Sequence, residues 1–132
     1  MDRTVTEMKV EKETGDRRVM LFTLWIFATL NYVYADVVTL FDKSLSTVLS
    51  QTALLGAAVL VETAIAMVLL SRVLKYKANR WANIIVGAIN TFAVLASLLV
   101  ATPALYYLFF AVIEIATTLT IIWYAWTWRT AV

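Results

Sequence analysis

Four long apolar segments, separated by short polar breaks, constrain the fold of this chain more than any other feature. They cover roughly residues 19–41, 48–71, 81–102 and 104–127. A helix needs about 20 apolar residues to cross the hydrocarbon core of a bilayer, and each segment has that length. The chain is 62% hydrophobic and 15% charged, which is typical of an integral membrane protein. The sequence therefore predicts an all-α fold, a four-transmembrane-helix bundle with short loops.

Charged residues lie mainly outside these segments. Residues 1–18 contain five basic and five acidic side chains, half of the 11 Lys and Arg plus 9 Asp and Glu in the chain. This stretch is predicted to be a flexible, charged cytoplasmic arm. The remainder, residues 19–132, is predicted to form a single transmembrane domain.

Basic residues also indicate how the helices are oriented. Arg17 and Arg18 precede the first segment, residues 72–80 contain four basic side chains, and Arg129 follows the last segment. Only Lys43 lies on the opposite side, next to Asp42. By the positive-inside rule, both termini are predicted to be cytoplasmic. The formal net charge of +2 is explained by this orientation, so a lipid bilayer is the expected partner and nucleic acid is not.

The absence of two residue types excludes several kinds of site. The sequence contains no cysteine and no histidine. Disulfides, thiolate nucleophiles, zinc or haem held by the usual ligands, and Ser–His or Cys–His pairs are therefore excluded. No other nucleophile–base pair is visible, so an enzyme is the least supported class and no cofactor is expected.

Each apolar segment carries an asparagine or a glutamate near its middle, at a similar depth. Counting 1.5 Å per residue from the segment ends places these residues within ~5 Å of a common level near the bilayer midplane. They are Asn31, Glu62, Asn90 and Glu114. A four-helix bundle is predicted to bring their two carboxyls and two amides together.

Helical spacing assigns these residues to faces that would meet inside a bundle. The third segment places Asn83, Gly87, Asn90, Val94 and Ser97 on one face, and the fourth places Tyr107, Phe110 or Ala111, Glu114, Thr118 and Ile121 on another. The second segment places Leu55, Ala58, Ala66 and Leu69 with Glu62.

An ionised carboxylate at the bilayer centre costs roughly 2.5–3.5 kcal/mol on insertion scales. No lysine or arginine inside a segment offsets that cost. At least one of Glu62 and Glu114 is therefore expected to be neutral. It would donate a hydrogen bond to an asparagine amide or share a proton with the other carboxyl.

Two functional interpretations follow, beside a structural one. The cluster could bind and release a proton or a hard cation, although the residues do not specify a metal. It could also hold a small polar or cationic ligand. Transport of such a ligand would require a homo-oligomer. The aromatic lining would be Tyr32, Tyr34, Tyr107 and Phe110. Asp36, ~8 Å farther out, either forms an outer mouth or reaches the headgroups. In the structural interpretation, the polar residues are interhelical hydrogen bonds in an accessory subunit of a larger membrane complex.

Three stretches resemble a known family. They are LWIFATLNYVYADVVTLF (24–41), NRWANIIVG (79–87) and IIWYAWTWR (121–129). They are similar to a family of small four-helix prokaryotic membrane proteins that is catalogued only as a domain of unknown function. Many relatives in that family carry glycine at the position of Ala35, and a proline is often found just after the position of Glu62. The resemblance implies a multi-pass protein of the prokaryotic cytoplasmic membrane and supplies no activity.

Overall fold

The computed structural model describes residues 2–40, 51–100 and 105–128, which form four long helices. The helices are α1 (Asp2–Leu40), α2 (Gln51–Val73), α3 (Tyr76–Val100) and α4 (Leu105–Trp126). Within these described residues there is no strand. Each helix is long and apolar enough to cross a membrane. The predicted four-helix fold is confirmed, and the chain is a multi-pass membrane protein.

The helix ends differ from the predicted segments mainly at the start of α3. This helix begins at Tyr76 rather than at residue 81, and only Leu74 and Lys75 separate it from α2. Hydropathy marks where the apolar stretch begins, whereas helical hydrogen bonding continues through the basic residues before it. The predicted breaks at residues 42–47 and 102–103 and the basic residue Arg129 lie outside the described residues.

α1 is much longer than a membrane span. Its 39 residues give a helix of about 58 Å at 1.5 Å per residue. The first eighteen residues, predicted to form a flexible arm, continue the same helix as the first span from Asp2 onward. Within this arm Arg17 pairs with Glu13 at 3.9 Å, one helical turn away.

The four helices pack in a ring in which each helix contacts the two beside it. α1 packs against α2 and α4, and α3 packs against the same two helices. The diagonal between α1 and α3 is bridged by long aromatic side chains. Trp25 Nε1 donates to Asn83 Oδ1 (2.7 Å), and the Tyr32 hydroxyl donates to Asn90 Oδ1 (2.9 Å).

One end of the bundle is rich in arginine and is called the basic end below. It contains Arg17, Arg18, Arg72 and Arg80. The Arg80 guanidinium donates to the carbonyls of Ala125 (3.1 Å) and Trp126 (2.9 Å). Arg18 donates to the Leu74 carbonyl, just beyond α2, at 3.0 Å. The last carbonyls of a helix have no partner within it and carry partial negative charge, so these arginines stabilise the helix ends.

A buried asparagine network joins three helices near the basic end. Asn83, which is fully buried, accepts from Trp25 and from Ser71 Oγ (3.3 Å). Its Nδ2 donates to both the backbone and the side-chain oxygen of Asn79, at 2.8 and 2.7 Å. Asn79 in turn donates to the Ser71 carbonyl (2.7 Å). Every amide in this network is hydrogen-bonded, which satisfies the polar groups that burial removes from water.

The predicted inner faces of α3 and α4 are correct and that of α2 is wrong. On α3, Asn90 is fully buried, and on α4, Thr118 is fully buried. On α2 the buried residues are instead Ala64, Met67 and Ser71, and the face of Glu62 is exposed. α2 is apolar on every side, so no contrast between polar and apolar positions marks its inner face.

Candidate functional site

A cleft of ≈ 330 Å³ opens in the half of the bundle away from the basic end. All four helices line it, and its polar side chains are Tyr32, Asp36, Ser97, Tyr107 and Glu114. We call it the acid cleft, and the part of the bundle around it the acidic half.

The acid cleft exists because the facing side chains are small. Its walls include Ala35 from α1, Gly56 and Ala57 from α2, and Ala93 from α3. Near the basic end, the corresponding interior positions hold large buried side chains such as Trp25. Small residues on several helices at one level leave space that no neighbouring side chain fills.

The two tyrosines of the cleft are held by hydrogen bonds. Tyr32 donates to Asn90, whose Nδ2 donates to the Val86 carbonyl (2.9 Å) and to Thr63 Oγ1 (3.3 Å). At the other side, the hydroxyls of Ser97 and Tyr107 lie 2.6 Å apart and share a hydrogen bond. These contacts fix the tyrosine rings against the walls of the cleft.

The two carboxyls of the cleft belong to different helices. Glu114 on α4 is only 7% exposed, whereas Asp36 on α1 lies at the exposed rim. Both carboxyls line the acid cleft. Within the part of the chain that the structure describes, neither carboxyl has a basic partner or a side-chain hydrogen bond. Two acids in one cleft repel each other when both are ionised, and no cationic side chain of the described residues offsets that repulsion.

The predicted meeting of Glu62 and Glu114 is not observed. Glu62 lies on the outer surface of α2, on the side opposite Ala64. A step of two positions along an α-helix corresponds to a rotation of about 200° around its axis. Helix rise gives the depth of Glu62 in the membrane. The uniformly apolar sequence of α2 does not determine whether the Glu62 side chain faces the bundle or the lipid. Asp36, rather than Glu62, is the acid near Glu114.

The two predicted asparagines also separate. Asn90 is buried directly beneath Tyr32. Asn31 instead donates to the carbonyl of Phe27, one turn back in its own helix, at 2.9 Å. A carbonyl left accessible within a helix satisfies an amide without any second helix. Asn31 is therefore not part of the acid cleft.

Two residues that the structure brings to the site were not predicted as site residues from the sequence. Thr63 Oγ1 accepts a hydrogen bond from Asn90, an interaction that was expected of the neighbouring Glu62. Ser97 bonds Tyr107, and its position on the same helical face as Asn90 was a usable signal. Of the predicted aromatic lining, Tyr34 is 61% exposed and points away from the cleft walls.

Comparison with known proteins identifies the family. A family model described as "Family of unknown function (DUF6326)" matches residues 8–132. The chain belongs to DUF6326. The match includes part of the charged arm as well as all four helices, and it agrees with the resemblance to a domain of unknown function. No curated protein and no solved structure matches the chain.

Proposed function

We propose that this DUF6326 member binds a small cation in the acid cleft. The observation that supports the proposal is the presence of two carboxyls from different helices, Asp36 and Glu114, in one cleft that is lined by all four helices. A bound cation would offset the repulsion between them, and a proton would do so when no other cation is present.

The remaining walls of the cleft favour a small ligand with some apolar surface. The hydroxyls of Tyr32, Ser97 and Tyr107 add oxygen acceptors to the two carboxyls. Aromatic faces attract cations, and Na⁺, Ca²⁺ and Mg²⁺ prefer oxygen ligands. A volume of ≈ 330 Å³ is at the small end of the range of ligand pockets. Alkylammonium and hydrated inorganic cations both fit this description.

Ligand-dependent stability tests the proposal. Purified protein would be unfolded thermally from pH 5 to 9, with tetramethylammonium, Na⁺, Ca²⁺ or Mg²⁺ as separate probes. A cation that binds only the folded chain stabilises it by about 2.7 kcal/mol at one hundred times its Kd. We expect at least one probe to stabilise the wild-type chain, and Asp36→Asn and Glu114→Gln to remove that response.

The chain offers a matched control in Glu62→Gln, which removes an acid at the surface of the bundle. This variant should keep the full cation response. A chain that no probe stabilises at any pH, or an equal loss of response in Glu62→Gln, contradicts the proposal.

Transport is a further step of the same proposal. Cation-dependent flux in proteoliposomes, present for the wild-type chain and lost in Glu114→Gln, would support it. Binding without flux would limit the protein to a binding role.

An accessory subunit of a membrane complex is the second candidate. It is favoured by the arm of α1, whose residues 4–9 and 11–13 are exposed and largely charged. A charged helix outside the membrane offers a surface to another protein. Removal of residues 2–13 should then release a co-purified partner and leave the cation response unchanged.

A further inference from the structure

Glu62 has no place in the acid cleft and needs a separate explanation. The membrane-spanning part of α2 is Leu54–Val73, and Glu62 lies near its middle on the outer surface. In the described part of the chain it has no hydrogen bond or ion pair through its side chain. A carboxyl that faces acyl chains at this depth costs roughly 2.5–3.5 kcal/mol even on insertion scales.

α2 is also the least covered helix of the bundle. In the most apolar 18-residue stretch of α2 17% of the residues are buried, against 28% in the corresponding stretch of each of the other three helices. The exposed surface on the side of Glu62 includes Leu55 (65% exposed), Val59 (57%) and Leu69 (65%). The single chain therefore leaves one side of α2 without protein contacts, on the side where Glu62 lies.

The residues around Glu62 would allow a second helix to approach closely. Ala58 and Ala66 lie one turn before and one turn after it on the same face. Small side chains beside a polar residue are typical of helix–helix contacts in membranes, because they let the backbones approach and the polar groups bond.

We propose that this face of α2 is the interface between two copies of the chain, joined by a hydrogen bond between their Glu62 carboxyls. In an interface with two-fold symmetry, a residue on the axis meets its own copy. A protonated carboxyl donates to an ionised or a second protonated one, so two acids are complementary once they hold at least one proton. The hydrogen bond between the two Glu62 carboxyls needs no other residue of the second copy.

The charge distribution fixes the relative orientation of the two copies. All four arginines of the basic end lie at one end of the bundle. Both copies are therefore expected to insert with the same orientation, and the two-fold axis runs along the membrane normal. This arrangement places the two Glu62 residues at the same depth. It also supports the part of α2 that contributes Gly56 and Ala57 to the wall of the acid cleft.

Disulfide cross-linking tests the interface, since the natural chain has no cysteine. Ala58→Cys and Ala66→Cys would be oxidised in lipid vesicles that contain only the purified chain. Val112→Cys, which is 65% exposed on α4, is the matched control on another lipid-facing surface. We expect the two α2 variants to shift from monomer to covalent dimer and the control to remain monomeric.

Two substitutions at Glu62 test its role directly. Glu62→Leu should weaken dimerisation roughly three- to tenfold, the effect of losing one or two interhelical hydrogen bonds. Glu62→Gln should retain most of it, because an amide pair also bonds across a two-fold axis. Both variants change a surface position, and thermal unfolding of the monomer confirms that each one folds.

Several results would overturn the interface. They are a wild-type chain that is monomeric in vesicles, cross-linking as strong at Val112→Cys as on α2, and an undiminished dimer in Glu62→Leu. A lipid or a different protein on this face would leave purified chains monomeric, which also overturns it. None of these measurements depends on a cation, so the dimer and the acid cleft can fail independently.

Discussion

The basic end and the acidic half of the bundle are built from opposite kinds of residues. Near the basic end, large side chains such as Trp25 and Trp128 are fully buried, and Asn79 and Asn83 are fully hydrogen-bonded. In the acidic half, alanines leave a cleft, and Glu114 is buried without a basic partner in the described chain. The hydrogen-bonded, closely packed residues and the candidate site therefore lie in different halves of the bundle. A region that departs from close packing and charge pairing is where a functional site is expected.

The largest expected effect is at Asn83, whose loss would break the network of the basic end. Asn83→Leu removes the acceptor of the Trp25 indole N–H, which is then buried without a partner. We expect the free energy of unfolding to fall by about 3 kcal/mol, measured by denaturant titration in mixed micelles.

Asn31→Leu is the matched control for Asn83→Leu, because this amide bonds only within its own helix. It should change the free energy of unfolding by less than about 0.5 kcal/mol. If both variants lost the same free energy of unfolding, the distinction between an amide in the interhelical network and an amide at the surface would be contradicted.

The next effect concerns the close contact of α3 and α4. A Cβ added at Gly87 would lie 2.8 Å from Cγ1 of Ile122, too close unless the Ile122 side chain or the helices shift. Gly87→Ala should therefore destabilise the fold by about 2 kcal/mol in the same titration. Gly56→Ala, where a Cβ meets nothing within 4 Å, should be close to neutral. A neutral Gly87→Ala would mean that the two helices are not tightly packed there.

A smaller effect is expected from the arginine caps. Arg80→Leu removes two hydrogen bonds to the last carbonyls of α4 and should cost about 1 kcal/mol of unfolding free energy. Arg72→Leu is the comparison, since that guanidinium lies 5.3 Å from the Phe22 ring and has no carbonyl acceptor in the described residues. If Arg72→Leu costs more, the stabilisation comes from the rings and not from the carbonyls.

The smallest effect on stability is expected in the acidic half. Glu114→Gln removes a charge that has no basic partner, so the free energy of unfolding should change by less than about 0.5 kcal/mol. The same variant should lose the whole cation response. A loss of stability as large as that of Asn83→Leu would instead assign Glu114 to the structural network and contradict the contrast between the two regions.

The fold was predictable from the sequence because its cause is local. The length and hydropathy of each segment determine a membrane helix, since a backbone in lipid must satisfy its own hydrogen bonds. The inner faces of α3 and α4 could also be read, because Asn83, Asn90 and Thr118 mark them with polar groups that avoid lipid.

The composition of the site was only partly predictable. The depth of Glu62 and Asn31 follows from counting residues, but the direction of each side chain depends on how α1 and α2 rotate against their neighbours. That rotation is set by packing between helices, which a uniformly apolar sequence does not encode in its periodicity. Asp36 and Tyr32 were predicted as candidates, but only the structure shows that they line one cleft with Glu114.

The unbroken course of α1 connects the two sides of the membrane mechanically. Arg17, at the basic end, and Asp36, at the rim of the acid cleft, are carried by the same helix, about 28 Å apart along its axis. A continuous helix of this kind tilts as one unit. The arm and the wall of the cleft that carries Asp36 and Tyr32 are therefore parts of one continuous helix, and a tilt of that helix moves both.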